Sequence, residues 1–203
     1  MRQPKKLIID FDNTIVISNK AVLKTLIGFI KNEELRLDVN AKVTTWDFSN
    51  VVPKQYLRFV DTTFEMDTFF TNLELYPNCY DVLLDLHSKG IEIICVTIGT
   101  PQNIENKIQW VKDNLPFVEL IPIVKFKEVN IDKSIINGKN AVFIDDNQLN
   151  LYSMKTCKVK NRILFKHDDI DTDYNDMWFN KYMTSWEDEK SLNLLYKRLG
   201  VKL

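Results

Sequence analysis

Five apolar runs of strand length recur along the chain, at Lys6–Phe11, Ile91–Ile98, Val118–Val124, Ala141–Ile144 and Arg162–Phe165. They are near-continuous rather than alternating. That pattern suits strands buried on both faces, as in a parallel sheet covered by helices. Helical patterns lie between them. Asn78 to Lys89 sets Val82, Leu83 and Leu86 on one face, with Gly90 as its C-cap. Asn103 to Asn114 sets Ile104, Ile108 and Val111 at helical spacing, with Pro116 beyond. This repetition predicts an α/β chain with a Rossmann-like three-layer α/β/α core and a parallel sheet.

One stretch interrupts the alternation. From Ser18 to about Tyr76 no run reads as a buried strand. Ser18 reads as the cap of a helix through Val22, Leu23, Leu26, Ile27 and Ile30, and Pro53 as the opening of a second helix. The expected organisation is a core of residues 1–17 and 77–203, with a helical cap, residues 18–76, inserted directly after the first strand. Near the C-terminus, in "SWEDEKSLNLLYKRL", Ser185 with Asp188 resembles a capping box, and Leu192, Leu195 and Leu199 share one helix face.

Composition narrows the function. The 203 residues are 45% hydrophobic and 27% charged, which gives one real core and room for an insertion. With 27 basic and 28 acidic residues the net charge is −1. A surface that coats nucleic acid or hugs a membrane needs a positive excess, so neither partner is expected. No apolar stretch reaches the roughly 18 residues of a membrane span. The N-terminal "MRQPKKLIID" does not read as a signal segment, because its apolar run is short and is broken by Asp10 and Asp12. Cys79, Cys95 and Cys157 are scattered and lack zinc-like spacing, so reduced structural thiols in a cytoplasmic protein are expected.

In an open parallel sheet, ligands bind beyond the carboxyl ends of the strands. The first strand, in "KKLIIDFDNTIV", ends in Asp10 and Asp12. The second, "IEIICVTIGT", ends in Thr97, Gly99 and Thr100, and "AVFIDDN" ends in Asp145 and Asp146. Before that last strand lies Lys133, in "NIDKSIING". Singly, each has an ordinary explanation: short polar residues start turns, and a loop lysine is solvated. Together, carboxylates at buried strand ends would repel one another unless a cation lay between them. Carboxylate oxygens suit Mg²⁺, which also accepts a phosphate oxygen. A lysine and a hydroxyl can hold that phosphate, and one aspartate can attack phosphorus.

These residues resemble the motifs of the haloacid dehalogenase superfamily of phosphatases. "DFDNT" is similar to its first motif, Asp-x-Asp-x-Thr; Thr97, Lys133 and Asp145–Asp146 are similar to the second, third and fourth. The resemblance implies Asp10 as nucleophile and Asp12 as general acid, then base. Thr97, the adjoining Ile98 and Lys133 would bind the phosphoryl group. Asp10, the backbone carbonyl of Asp12 and Asp146 would hold Mg²⁺, with Asp145 acting through a water. Lys125, Lys127 and Lys139 are alternative phosphate lysines, and Asn13 stands where many members have Gly.

A closer resemblance runs along nearly the whole chain. "TTWDF", "FFTNLELYPNCYDVLLDLHSKG", "VTIGT", "KIQWVKDNLP", "IDKSIINGKNAVFIDDNQLNL" and "SWED" look like the 5'(3')-deoxyribonucleotidases, cytosolic pyrimidine-type nucleotidases with a small helical cap after the first motif. Phe64 then falls where that family has an aromatic base contact, and Trp46 is a second candidate; ordinary packing is the alternative for both. The implied substrate is a (deoxy)nucleoside monophosphate, with a second copy of the chain left open as a partner. Another small phosphate ester or a nucleic-acid 3'-phosphate remains an alternative, the near-neutral charge weighing against a polymer. A receiver-type phospho-acceptor would carry its acidic pair first and its lone aspartate later, the reverse of the order here. A binding protein that kept the fold without catalysis finds no missing motif residue to support it.

Overall fold

The computed structural model describes residues 5–30, 37–126, 131–156, 159–167, 177–179 and 181–203. The chain enters strand β1 (Lys6–Ile9), then helix α1 (Ser18–Phe29), a 3-10 turn (Lys54–Phe59) and the short helices α2 (Val60–Thr63) and α3 (Asp67–Thr71). Next come α4 (Cys79–Ser88), β2 (Glu92–Gly99), α5 (Pro101–Asn114) and β3 (Glu119–Val124). A 3-10 turn (Lys133–Ile135), β4 (Ala141–Asp145), α6 (Gln148–Thr156), β5 (Asn161–Phe165), β6 (Lys181–Met183) and α7 (Glu189–Leu199) complete it. The strands form a six-stranded sheet in the order β3-β2-β1-β4-β5-β6, and every pairing is parallel. This is the Rossmann-like α/β architecture that the apolar runs predict.

The central strands have no solvent face. In β1, Leu7 and Ile9 point into one hydrophobic cluster and Ile8 into the other, all fully buried. Side-chain period two forces this split, and helices cover both sides. Among the described residues no helix is long and apolar enough to cross a membrane.

Several expectations need correcting. The run at Val118–Val124 becomes the edge strand β3, mostly half-exposed, and Pro122 sits there because an edge needs one fewer ladder donor. β6 has only three residues, "KYM", and no apolar run announces it. Ser18 does not cap α1; Ile17 is the N-cap, with no side-chain bond, and Ser18 is buried in the first turn. Pro53 precedes a 3-10 turn rather than opening an α-helix. In α5, Ile108 is 44% exposed, whereas Lys107 takes the core-facing place between Ile104 and Val111. The C-terminal helix starts after Asp188, whose side chain accepts from the Ser191 N–H; Ser185 caps only the turn before it. Cys79 and Cys95 are buried and free; Cys157 and Lys127 lie outside the described residues.

The "SWED" stretch has a specific task. Trp186, 1% exposed, donates from Nε1 to the Thr14 carbonyl at 2.9 Å and stacks on Phe165. Its own carbonyl accepts from Asn78 Nδ2 at 2.7 Å. The segment before α7 is thereby tied to the loop that follows β1. Trp186→Phe leaves a buried carbonyl unpaired, so a loss of about 1–3 kcal/mol is expected in urea unfolding. An unchanged midpoint would remove the latch from the account of the fold.

Candidate active site

The strand order decides which residues meet. β1 lies between β2 and β4, so the three strands whose ends carry Asp10, Thr97 and Asp145 are neighbours. Ile9 is level with Ile144 and with Cys95. One residue on, the Asp10 N–H donates to the Ile144 carbonyl at 2.9 Å, which sets Asp10 beside Asp145. The chain then turns through Asn13, whose φ of 49° is the left-handed region Asn tolerates. Asn13 Oδ1 accepts the Asn19 N–H at 3.1 Å and its Nδ2 donates to Asn19 Oδ1 at 3.0 Å, fastening the turn to α1.

Two buried lysines hold the carboxylates. Lys133, 1% exposed, donates to Asp10 and, at 2.7 Å, to Asp145 Oδ2. It is therefore not a solvated loop residue. Lys107, equally buried, donates to Asp12 Oδ2 and, at 2.8 Å, to Thr97 Oγ1. The other oxygen of Asp12 accepts the Ser18 hydroxyl at 2.6 Å. Asp145 is further bound by the Asn147 N–H at 2.8 Å and by Asn150 Nδ2 at 3.1 Å. Asp146 contacts His167 Nε2, 3.3 Å from its Oδ2.

The crowding shows in the acidities. Burial lifts Asp10 to about 7; Lys133 opposes the rise, and Asp145 and Asp12 add to it. Burial likewise raises Asp146 to about 6 against the His167 hydrogen bond, and raises Asp145 against Lys133. For Lys133 burial works the other way, yet Asp10 and Asp145 outweigh it and push the ammonium above its ordinary value.

Asp10, Asp145 and Asp146 each offer an oxygen, and these atoms lie within 4.8 Å of one another. An all-carboxylate set of this kind fits a hard divalent cation. Asp145 is the most heavily bonded of the three, whereas Asp146 keeps one oxygen with no protein partner among the described residues.

Beside this cluster opens a cavity of about 300 Å³. Asp10, Asp12, Thr97, Ile98, Lys133 and Asp146 line it from the sheet side; Trp46, Phe48 and Phe64 line it from the segment between β1 and α4. Trp46 is 52% exposed, so it is not core packing. Phe64 is half-buried, with its ring 5.0 Å from that of Phe69, and it both packs and faces the cavity. Of the alternative lysines, Lys125 lines an adjoining cavity with Lys107. Lys139 is exposed in the turn before β4, at the opposite end of that strand.

Sequence reasoning misses four residues here. Lys107 could have been found as the one cation on the stripe Ile104–Lys107–Val111. Ser18 has the sequence signature of a helix cap, whereas its hydroxyl donates to Asp12. Phe48, at φ 61° and 4% exposed, carries no signal, since a left-handed Phe is uncommon. His167 lies two residues beyond β5 and acts across the sheet.

The chain is similar to known proteins in a consistent way. The family model "5' nucleotidase, deoxy (Pyrimidine), cytosolic type C protein" matches residues 6–199. No curated protein matches it. Among solved structures, a HAD family hydrolase from Deinococcus radiodurans R1, with bound phosphate and sodium, is 12% identical at a TM-score of 0.63, covering 98% of this chain and 99% of that one. A predicted phosphoglycolate phosphatase from Haemophilus somnus 129pt is 13% identical at 0.61, covering 95% and 99%. A predicted phosphatase from Clostridium acetobutylicum is 11% identical at 0.62, covering 97% and 98%. At these identities the structures speak for the fold, and the family match speaks for descent. The chain belongs to the cytosolic type C family of 5' (deoxy, pyrimidine) nucleotidases, and as such is a phosphatase of the haloacid dehalogenase type.

Proposed function

We propose that the chain is a Mg²⁺-dependent phosphomonoesterase that works through an aspartyl-phosphate, with a nucleoside monophosphate, best a deoxyribonucleotide, as substrate. One observation carries the reading: Asp10, Asp12, Thr97 and Lys133 share a single cavity with Trp46, Phe48 and Phe64. Acids and a lysine on one wall with aromatic rings on the other suit a molecule that is phosphate at one end and flat and apolar at the other. The family match supports a nucleotide, and the phosphate bound to the Deinococcus neighbour supports a phosphate site in this fold. Residues 1–17 and 77–203 form the catalytic core in this reading, and residues 18–76 the cap that holds the base. The buried free thiols Cys79 and Cys95 support a cytoplasmic setting.

In this mechanism a carboxylate oxygen of Asp10 attacks phosphorus, and the bond to the ester oxygen breaks as the new one forms. Asp12 gives its proton to the leaving oxygen. Thr97, Ile98 and Lys133 bind the phosphoryl group meanwhile. Asp12 then takes a proton from the water that attacks the phosphorus, which frees Asp10 and releases inorganic phosphate. Ser18 and Lys107 grip the two oxygens of Asp12 and keep it aimed. Asp10, the Asp12 carbonyl and Asp146 would hold the cation, with Asp145 behind a water. Bound there, Mg²⁺ supplies the positive charge that lets an anionic nucleophile meet an anionic ester.

A panel of phosphate esters with Mg²⁺ tests this, covering deoxy- and ribonucleoside 5'- and 3'-monophosphates, a sugar phosphate and p-nitrophenyl phosphate. A deoxynucleoside monophosphate is expected to give the highest kcat/KM, and Asp10→Asn to abolish turnover throughout. A folded Asp10→Asn enzyme with near-normal turnover would disprove the nucleophile.

Without metal, stability should depend on pH in one direction. Asp10 rises from 3.8 to about 7 and Asp146 from 3.8 to about 6, so between those limits the folded chain holds more protons than the unfolded one. Stability therefore falls as pH rises through that window. Mg²⁺ competes with those protons and should restore stability more at pH 8 than at pH 5. On the order of 5 °C at pH 8 is expected, since about 1 kcal/mol moves a domain of this size by roughly 2–4 °C. Thermal melts in EDTA and in Mg²⁺ give the answer; equal gains at both pH values would speak against the cation site.

Selectivity is assigned to the aromatic wall. Stacking on a base is worth about 1–3 kcal/mol, so Phe64→Ala should lower kcat/KM for a deoxynucleoside monophosphate about tenfold or more. A small ester that never reaches the wall should barely change. Equal losses on both would make Phe64 a packing residue, because its ring also supports Phe69.

A further inference from the structure

The three clustered carboxylates are not held alike. Lys133 binds Asp10 and Asp145, and Asp145 gains the Asn147 N–H and the Asn150 amide as well. Among the described residues no lysine hydrogen-bonds to Asp146. Its carboxylate, 5% exposed, has one partner among the described residues, His167, whose side chain is also 5% exposed. Asp145 pairs with Leu164 across the β4–β5 ladder, so Asp146 and the residues just past β5 come out of the sheet side by side. A carboxylate that ligates a cation can only accept hydrogen bonds. His167 must then carry its proton on Nε2 and donate it to Asp146 Oδ2, 3.3 Å away, which leaves Oδ1 for the ion.

We infer that His167 is a positioning residue for the cation. It fixes the rotation of Asp146 so that this carboxylate, which no described lysine holds, still presents an oxygen to the space shared with Asp10 and Asp145. This rests on the reading of the cluster as a divalent-cation site. Lys133 is already committed to Asp10 and Asp145 and makes no hydrogen bond to Asp146. An imidazole N–H on one oxygen orients the carboxylate and leaves the other oxygen for the cation.

Mg²⁺ binding to the purified chain, measured by isothermal titration calorimetry, tests the inference without any turnover. Partners of this kind are worth about 10–100-fold in metal affinity. His167→Leu should weaken Mg²⁺ binding by that factor. His167→Gln, whose amide can place an N–H near the Nε2 position, should recover most of it. His167→Asn, too short to reach, should behave like Leu and serves if the Leu variant does not fold. Unchanged affinity in a folded Leu or Asn variant overturns the assignment, as does an equal loss in Gln and Leu, which would make the ring mere packing. Asp146→Asn separates the two levels. If it abolishes Mg²⁺ binding while the His167 variants bind normally, the cation site stands and the role of His167 falls. If the parent chain binds no Mg²⁺, both fall together.

Discussion

Repulsion among carboxylates is the constraint around which this sheet edge is built. Asp10, Asp12, Asp145 and Asp146 leave adjacent strands at one end of the sheet, and most of their surface is out of water. Such a group is tolerable only if positive charge is buried with it. Lys133 and Lys107 are that charge, each 1% exposed and each placed between two site groups. Both ammoniums also lie near aromatic rings, Lys107 5.1 Å from Phe11 and Lys133 5.8 Å from Phe143. In the cluster itself three carboxylates, Asp10, Asp145 and Asp146, surround the one lysine bound to the cluster among the described residues, Lys133, and three minus one leaves a deficit of two positive charges. That deficit is the charge of one divalent ion, and the raised pKa values of Asp10 and Asp146 are how the metal-free chain meets it with protons.

What the sequence makes legible follows from this. Carboxylates at the ends of apolar runs stand out because nothing in a packed sheet calls for them, and the order β3-β2-β1-β4 brings those ends together. Lys133 was legible as a member of a motif, yet its burial was not, because a lysine in a polar loop has the same local signature whether solvated or not. Lys107 was hidden by the helix itself. Period 3.6 lets either Lys107 or Ile108 follow Ile104 toward the core, and hydrophobicity favours Ile108. The ion pair with Asp12 decided otherwise, since Lys107 inward neutralises a carboxylate and Ile108 outward costs little. β6 and His167 are illegible because their partners are supplied by the fold, β6 by pairing with β5 and His167 by Asp146 just past β4.

The segment between β1 and α4 is tied to the core at the point where position matters. Asn103 Nδ2 donates to the Phe64 carbonyl at 2.6 Å, and the Thr100 hydroxyl donates to Glu65 at 2.7 Å. Both donors belong to the start of α5, where Thr100 is also the N-cap. Gly99 makes the approach of Asn103 feasible, since a Cβ there would lie 2.2 Å from Asn103 Oδ1. Any side chain at Gly99 would displace the amide that anchors Phe64.

A single helix therefore references both ends of the cavity. One turn after Asn103, Lys107 holds Asp12 and Thr97, on the acidic side. Asn103 itself holds the backbone of Phe64, on the aromatic side. Asn103 and Lys107 lie about one α-helical turn apart, a rise of about 5.4 Å along the axis, so one rigid element carries both anchors. A change in the first two turns of α5 therefore acts on both Phe64 and Asp12. Under the proposed function, the aromatic wall tunes which molecule is held, and α5 decides whether its phosphate end lands on the acids.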